Sequence, residues 1–153
     1  METFVKMNEI HIAEAPTILG TVVGSCIALC LWDGRLQIGG MAHIMMPEGN
    51  GNRHAPPGKY ADRAVKALVD QMLKHGSSLK ILTAACIGGA SMFQNPKVKI
   101  EPVGQRNYRV VQNELVKFGI PIVIEAVGGP SGRKIILNCS DGAVTVSTLS
   151  MSN

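Results

Sequence analysis

The stretch "TVVGSCIALCLWDGRLQIGGMAHIMM", residues 21–46, decides the fold, because two apolar runs flank the turn signal Asp33-Gly34. Apolar runs of this length joined by Asp-Gly read as the arms of a β-hairpin. The arms are predicted at about Cys26–Trp32 and Leu36–Met46, preceded by a strand at Ile18–Val23. With a two-residue turn Trp32 pairs with Arg35, and Cys26 faces Met41. His43 lies two residues beyond Met41, so it projects from the same face as Cys26, a diagonal neighbour about 7–8 Å away along the backbone. The Gly39-Gly40 pair is a candidate bulge that would break this parity.

Upstream, Phe4–Ile12 alternates polar and apolar residues as a strand does. Downstream, Pro47–Lys59 is rich in Gly, Pro and Asn and reads as an exposed loop, long enough to contribute to a substrate groove with Arg53 and His54 near its tip. Residues 60–76 place Ala61, Ala64, Val65, Leu68 and Met72 at helical spacing, and 106–119 place Tyr108, Val111, Leu115 and Phe118 on a second helical face, closed by Gly119. Between them, 78–93 reads as a buried strand running into the glycine turn Gly88-Gly89. The tail gives three strands separated by Gly-Gly-Pro-Ser-Gly and Ser-Asp-Gly turns. These elements predict one α+β domain over residues 1–153, strand-rich, with two main helices packed on sheet.

The chain has 153 residues, 46% of them hydrophobic, and a net charge of +4 carried by scattered basic pairs such as Lys97/Lys99, Arg106/Arg109 and Arg133/Lys134. Nucleic-acid binders concentrate such charge in a stripe with stacking aromatics, whereas aromatics here are only 4% of the residues, which argues against nucleic acid. The N-terminus lacks the charged-then-apolar pattern of a secretory signal, and no apolar run approaches the roughly 18 residues of a membrane span. The expectation is a cytoplasmic protein with no membrane insertion, whose Cys26, Cys30, Cys86 and Cys139 are reduced thiols.

Cys30, Cys86 and Cys139 read as core filler. Cys26 follows Gly24-Ser25, where a glycine allows a sharp turn and brings backbone N–H groups near a developing oxyanion. An imidazole beside such a thiol can draw its proton, so Cys26 and His43 form a candidate nucleophile and base. Thr21 is the nearest polar group to orient the imidazole, but on a straight strand it has the opposite parity to Cys26 and needs a kink near Gly24. His11, His54 and His75 read as surface positions, and a zinc site at Cys26, Cys30 and His43 lacks a fourth ligand. Gly88 and Gly89 are candidates to line the pocket by close backbone approach, or simply to turn the chain.

The blocks "GSCIALCLWD", "GGMAHIMMP", "KYADRAVKALVDQMLKHG", "IGGASMF", "GQRN" and "GIPIVIEAVGGPSGRKIILN" follow one another over nearly the whole chain. In that order and spacing the sequence resembles the CheD family of chemoreceptor glutamine deamidases. The resemblance departs at Ala126, where an acidic residue is expected, and at Ile87, where an aromatic is common. It implies hydrolysis of glutamine side-chain amides on methyl-accepting chemotaxis receptors, without a cofactor or metal, and in some members of glutamyl methyl esters. It assigns the nucleophile to Cys26, the base to His43 and the third member to Thr21. Its implied fold is the layered α/β structure of the cytotoxic necrotizing factor deamidase domains. A CheC-type phosphatase is an implied partner, so the competing expectation is a binding module that uses the cysteine pocket as its contact. The blandest alternative is a domain whose four cysteines all serve the core.

Overall fold

The computed structural model describes residues 1–49, 51, 54–91 and 100–149. Strand β1 (Glu2–Phe4) and strand β2 (Ile10–Glu14) replace the single strand expected at Phe4–Ile12 and belong to different sheets. The break is a tight turn in which the Glu9 N–H donates to the Lys6 carbonyl (2.9 Å) and Asn8 adopts φ 71°. Asparagine tolerates that left-handed conformation, so the alternating pattern of the sequence hides a turn.

Strands β3 (Ile18–Val23), β4 (Ile27–Asp33) and β5 (Ile38–Ile44) follow, then helix α1 (Ala61–Lys74), strand β6 (Thr83–Gly88), helix α2 (Val103–Phe118), and strands β7 (Ile122–Val127), β8 (Arg133–Asn138) and β9 (Val144–Thr148). A four-stranded sheet has the order β1-β3-β8-β9, and a five-stranded sheet the order β2-β5-β4-β6-β7. Each is mixed: β1 pairs β3 and β6 pairs β7 in parallel, the other pairs antiparallel. The α+β architecture read from the sequence is therefore present, as three layers.

Alternation along β4 and β5 builds two cores. Ile27, Leu29, Leu31, Ile38, Ala42 and Ile44 face the helices and meet Ala64, Leu68, Met72, Val111 and Leu115. Ala28, Cys30 and Met41 face the other sheet and meet Leu19, Val23, Ile135, Leu137 and Cys139. Because both faces are covered, the central strands are apolar throughout, as doubly buried strands should be. Helix α2 begins three residues before the expected Arg106, with Pro102 at its N-cap, and ends at Gly119, whose φ of 69° suits a glycine cap.

The hairpin register differs from the expected one. Trp32 pairs with Gly39, Cys30 with Met41 and Ala28 with His43, so the turn is four residues longer in register than the Asp-Gly reading supposed. The buried Asp33 carboxylate organises this wider turn. Its Oδ1 accepts from the N–H groups of Arg35 (2.8 Å) and Leu36 (3.0 Å), and its Oδ2 from the Ser77 hydroxyl (2.6 Å). Asp33 thus closes a turn through its side chain, which a two-residue turn has no use for. Gly39 and Gly40 pair in regular register, with no bulge.

The strand expected at 78–93 forms only over Thr83–Gly88, and Met92 and Phe93 lie outside the described residues. So does Arg53 of the 47–59 loop, while His54 and His75 are exposed and His11 is half-buried beside Glu9. Among the described residues no helix is long and apolar enough to cross a membrane.

Leu68 is fully buried between α1 and the five-stranded sheet, whereas Lys66 on the opposite face is exposed beside Asp70. Leu68→Ala is expected to lower the unfolding free energy by about 2–5 kcal/mol. Lys66→Ala should change it by no more than about 0.5 kcal/mol. Urea unfolding of both variants checks the layer assignment, and equal effects would contradict it.

Candidate active site

Cys26 closes a three-residue bend, Gly24 to Cys26, that carries the chain from β3 in one sheet to β4 in the other. The bend is anchored from behind. The Ala90 N–H donates to the Gly24 carbonyl and the Gly89 N–H to the Cys26 carbonyl, both at 2.9 Å. Among the described residues, the N–H groups of Ser25 and Cys26 donate to no backbone carbonyl. Gly88 permits this contact: its φ is 121°, and a Cβ there would fall 2.2 Å from the Cys26 carbonyl oxygen. Gly88 and Gly89 therefore hold the bend, and the Gly89 N–H is spent on that task.

His43 lies on the face of β5 that looks between the sheets, opposite Ala28 and adjacent in the ladder to the Ile27–Ile44 pair. Cys26 belongs to the same inter-sheet cluster as Ala28. Both therefore lie on the inter-sheet side of the five-stranded sheet, His43 through its pairing with Ala28 and Cys26 through its packing in the same cluster, although the register differs from the one expected. The four-residue slip is even, and an even slip preserves parity.

Thr21 belongs with them, and the parity objection to it is removed. Opposite parity would separate Thr21 from Cys26 only if both lay on one straight strand. Thr21 instead lies on β3 in the facing sheet and reaches His43 across the gap between layers. Its Oγ1 lies 2.8 Å from His43 Nδ1 and donates at 2.6 Å to the Val5 carbonyl. A hydroxyl has one hydrogen, and here Val5 receives it. Thr21 therefore accepts from Nδ1–H, which leaves the Nε2 lone pair of a neutral imidazole available as a base. The Val5 carbonyl is a participant that residue types could not reveal, since its signal is a backbone position after a strand in the other sheet.

The three side chains are buried: Thr21 is 1% exposed, His43 5% and Cys26 7%. Burial pushes the Cys26 thiol above its ordinary range. Burial also lowers His43 below the ordinary imidazole value, a shift that the Val5 carbonyl partly offsets. Both shifts favour a neutral thiol and a neutral imidazole at rest. Cys30, Cys86 and Cys139 are buried in the cores, and burial raises Cys30 to about 12. Among the described residues no group of three or more His, Cys, Asp and Glu side chains is placed to hold a metal ion.

Residues 45–148 match the family model described as CheD chemotactic sensory transduction. The chain is 40% identical over 142 residues to the probable chemoreceptor glutamine deamidase CheD of Methanococcus vannielii, covering 93% of this chain and 92% of the relative. It is 37% identical over 147 residues to the chemoreceptor glutamine deamidase CheD of Thermotoga maritima, covering 95% and 91%. A solved structure, the Bacillus licheniformis hypothetical protein YfiH, is similar in fold. Its TM-score is 0.50 at 15% identity, over 77% of this chain and 49% of that one.

Of the four thiols Cys26 is the most accessible and lies on the bend between the sheets, whereas Cys30 and Cys86 lie within strands and Cys139 is fully buried in the turn after β8. Iodoacetamide at neutral pH is expected to modify Cys26 at least about tenfold faster than the other three, and His43→Ala to slow that reaction. Peptide mapping of the alkylated protein reads both effects, and equal inertness of all four thiols would return Cys26 to the core.

Proposed function

The chain belongs to the CheD family, and we propose that it deamidates glutamine side chains of chemotaxis receptors through a thioester on Cys26. The observation that carries this reading is the Val5–Thr21–His43 relay, which fixes the imidazole tautomer on the inter-sheet side that also holds the buried Cys26 thiol.

In the proposed reaction His43 Nε2 takes the thiol proton as Sγ attacks the carboxamide carbon of the substrate glutamine. The oxygen that gains charge is held by the unspent N–H groups of the bend at Ser25 and Cys26. Gly24 lets the chain turn there, while Gly88 and Gly89 support it from behind. As the tetrahedral adduct collapses, the imidazolium gives its proton to the departing nitrogen and ammonia leaves. Water then attacks the thioester, the same imidazole accepting its proton, and glutamate and free Cys26 result. A glutamyl methyl ester would pass through the same thioester with methanol as leaving group. The chemistry requires no metal or cofactor, and reduced thiols suit a cytoplasmic setting.

Thr21 stabilises this cycle by holding Nδ1–H, an interaction that strengthens as the ring becomes charged. Pure docking on a CheC-type phosphatase would use the pocket without need of an oriented base. The relay favours catalysis, and the docking reading predicts no ammonia release at all.

Mass spectrometry of a chemoreceptor fragment incubated with the protein tests the proposal. Wild type should convert Gln to Glu, a gain of about 1 Da per site, and Cys26→Ala should abolish it. His43→Ala should lose about 10²-fold or more in kcat with its circular dichroism unchanged. Thr21→Val should lose about 10- to 100-fold, with Thr21→Ser largely retaining activity. Normal deamidation by Cys26→Ala would refute the mechanism.

The pH dependence has a definite sign. The base must be neutral, and the lowered His43 value keeps it neutral to more acidic pH, so the acid limb of kcat/KM should lie below 6.5. The thiol, raised by burial, should remain protonated past its ordinary 9.0, giving a plateau across neutrality. An acid limb above 6.5 in a pH–rate profile would contradict this neutral resting pair.

A further inference from the structure

Arg133 is the first residue of β8, paired with Val23 at the point where β3 ends and the nucleophile bend begins. Its side chain leaves the four-stranded sheet and reaches the other one. Nη1 donates to the Gly88 carbonyl (3.1 Å) and Nη2 to the Gly128 carbonyl (2.8 Å). Among the described residues no carboxylate is paired with it, so a half-buried guanidinium is devoted to two backbone carbonyls.

The target is significant. The Gly88 carbonyl also accepts from the Gly128 N–H at 2.9 Å, so both of its lone pairs are engaged. The same peptide unit ends in the Gly89 N–H, which donates to the Cys26 carbonyl. Fixing the Gly88–Gly89 peptide plane therefore fixes the carbonyl of the nucleophile residue. A cation on one end of a peptide polarises it and strengthens donation from the other end. No side chain at Gly88 could stand in for this support, since a Cβ there would strike the Cys26 carbonyl.

We infer that Arg133 is a positioning residue for the nucleophile: a forked clamp that sets the Gly88–Gly89 peptide and, through it, the placement of Cys26 relative to His43. The inference deepens the deamidase reading and rests on it for its kinetic readout. Two polar ties then join the sheets around the site, Thr21 to His43 for the base and Arg133 to Gly88 for the nucleophile. The fork is essential to the role, because a lysine ammonium carries the charge but lacks the planar pair of donors that meets two carbonyls.

The test compares wild type, Arg133→Ala, Arg133→Lys and the exposed neighbour Lys134→Met. Arg133→Ala is expected to lower kcat on a receptor fragment about 10- to 100-fold, as a small misplacement of a reacting group does. KM should stay within about twofold, and alkylation of Cys26 should slow in parallel. Ethylguanidinium ion added to Arg133→Ala should recover part of both rates. Arg133→Lys should lose activity without recovery, and Lys134→Met should behave as wild type. A lowered melting temperature with kcat and Cys26 alkylation unchanged would make Arg133 merely structural and overturn the inference, as would a fall in kcat with Cys26 alkylation unchanged. If Arg133→Ala does not fold, Arg133→Lys carries the same comparison. If wild type releases no ammonia, the deamidase reading fails, and the alkylation rates still decide for or against the clamp.

Discussion

The chain changes sheets in three residues, from Val23 to Ile27, and the rest of the site depends on that crossing. A β3 that continued straight into β4 would put Thr21 and Cys26 on opposite faces of one strand. Because the bend moves β4 into the other layer, Thr21 and His43 confront each other across the inter-sheet core, where a hydroxyl and an imidazole can meet at 2.8 Å. The crossing also ends at Cys26, which leaves the thiol at the rim of the buried layer rather than within it. The neighbouring β6 terminus takes up the bend's carbonyls through Gly89 and Ala90.

Polar groups in such a place are costly unless each is satisfied. Thr21 meets that condition by donating to Val5 and accepting from His43, and the Val5 carbonyl is supplied by the segment just after β1. The N-terminal strand thereby supports the proposed base despite contributing no reactive side chain. It closes the edge of the four-stranded sheet in parallel with β3, and this pairing brings Val5 beside Thr21.

The sequence made some of this legible. Helical periodicity located α1 to within two residues, and apolar runs located β3, β4 and β5, because burial on one or both faces writes itself into residue order. The side of β5 that carries His43 was legible for a narrower reason: the difference in register is even. The turn itself was misread because Asp33 acts through its side chain, drawing on Ser77 far along the chain, and local turn chemistry contains no trace of that partner. The break between β1 and β2 was hidden by an asparagine in a left-handed conformation. Thr21 stayed open in the sequence, proposed by family resemblance and opposed by strand parity, since parity relates residues within one sheet and says nothing of a facing layer. Arg133 read only as one of several scattered cations, because the carbonyls it binds belong to backbone.

The hairpin register has a consequence for how chains of this fold can vary in length. His43 faces the inter-sheet core by virtue of an integer, the number of residues between Ala28 and itself. A slip of two residues in the β4–β5 pairing returns His43 to the same face, whereas a slip of one sends it toward the helices, among Leu68 and Met72. A turn that gains a single residue must take it up within the loop or in a bulge before position 43 if His43 is to keep its place beside Thr21.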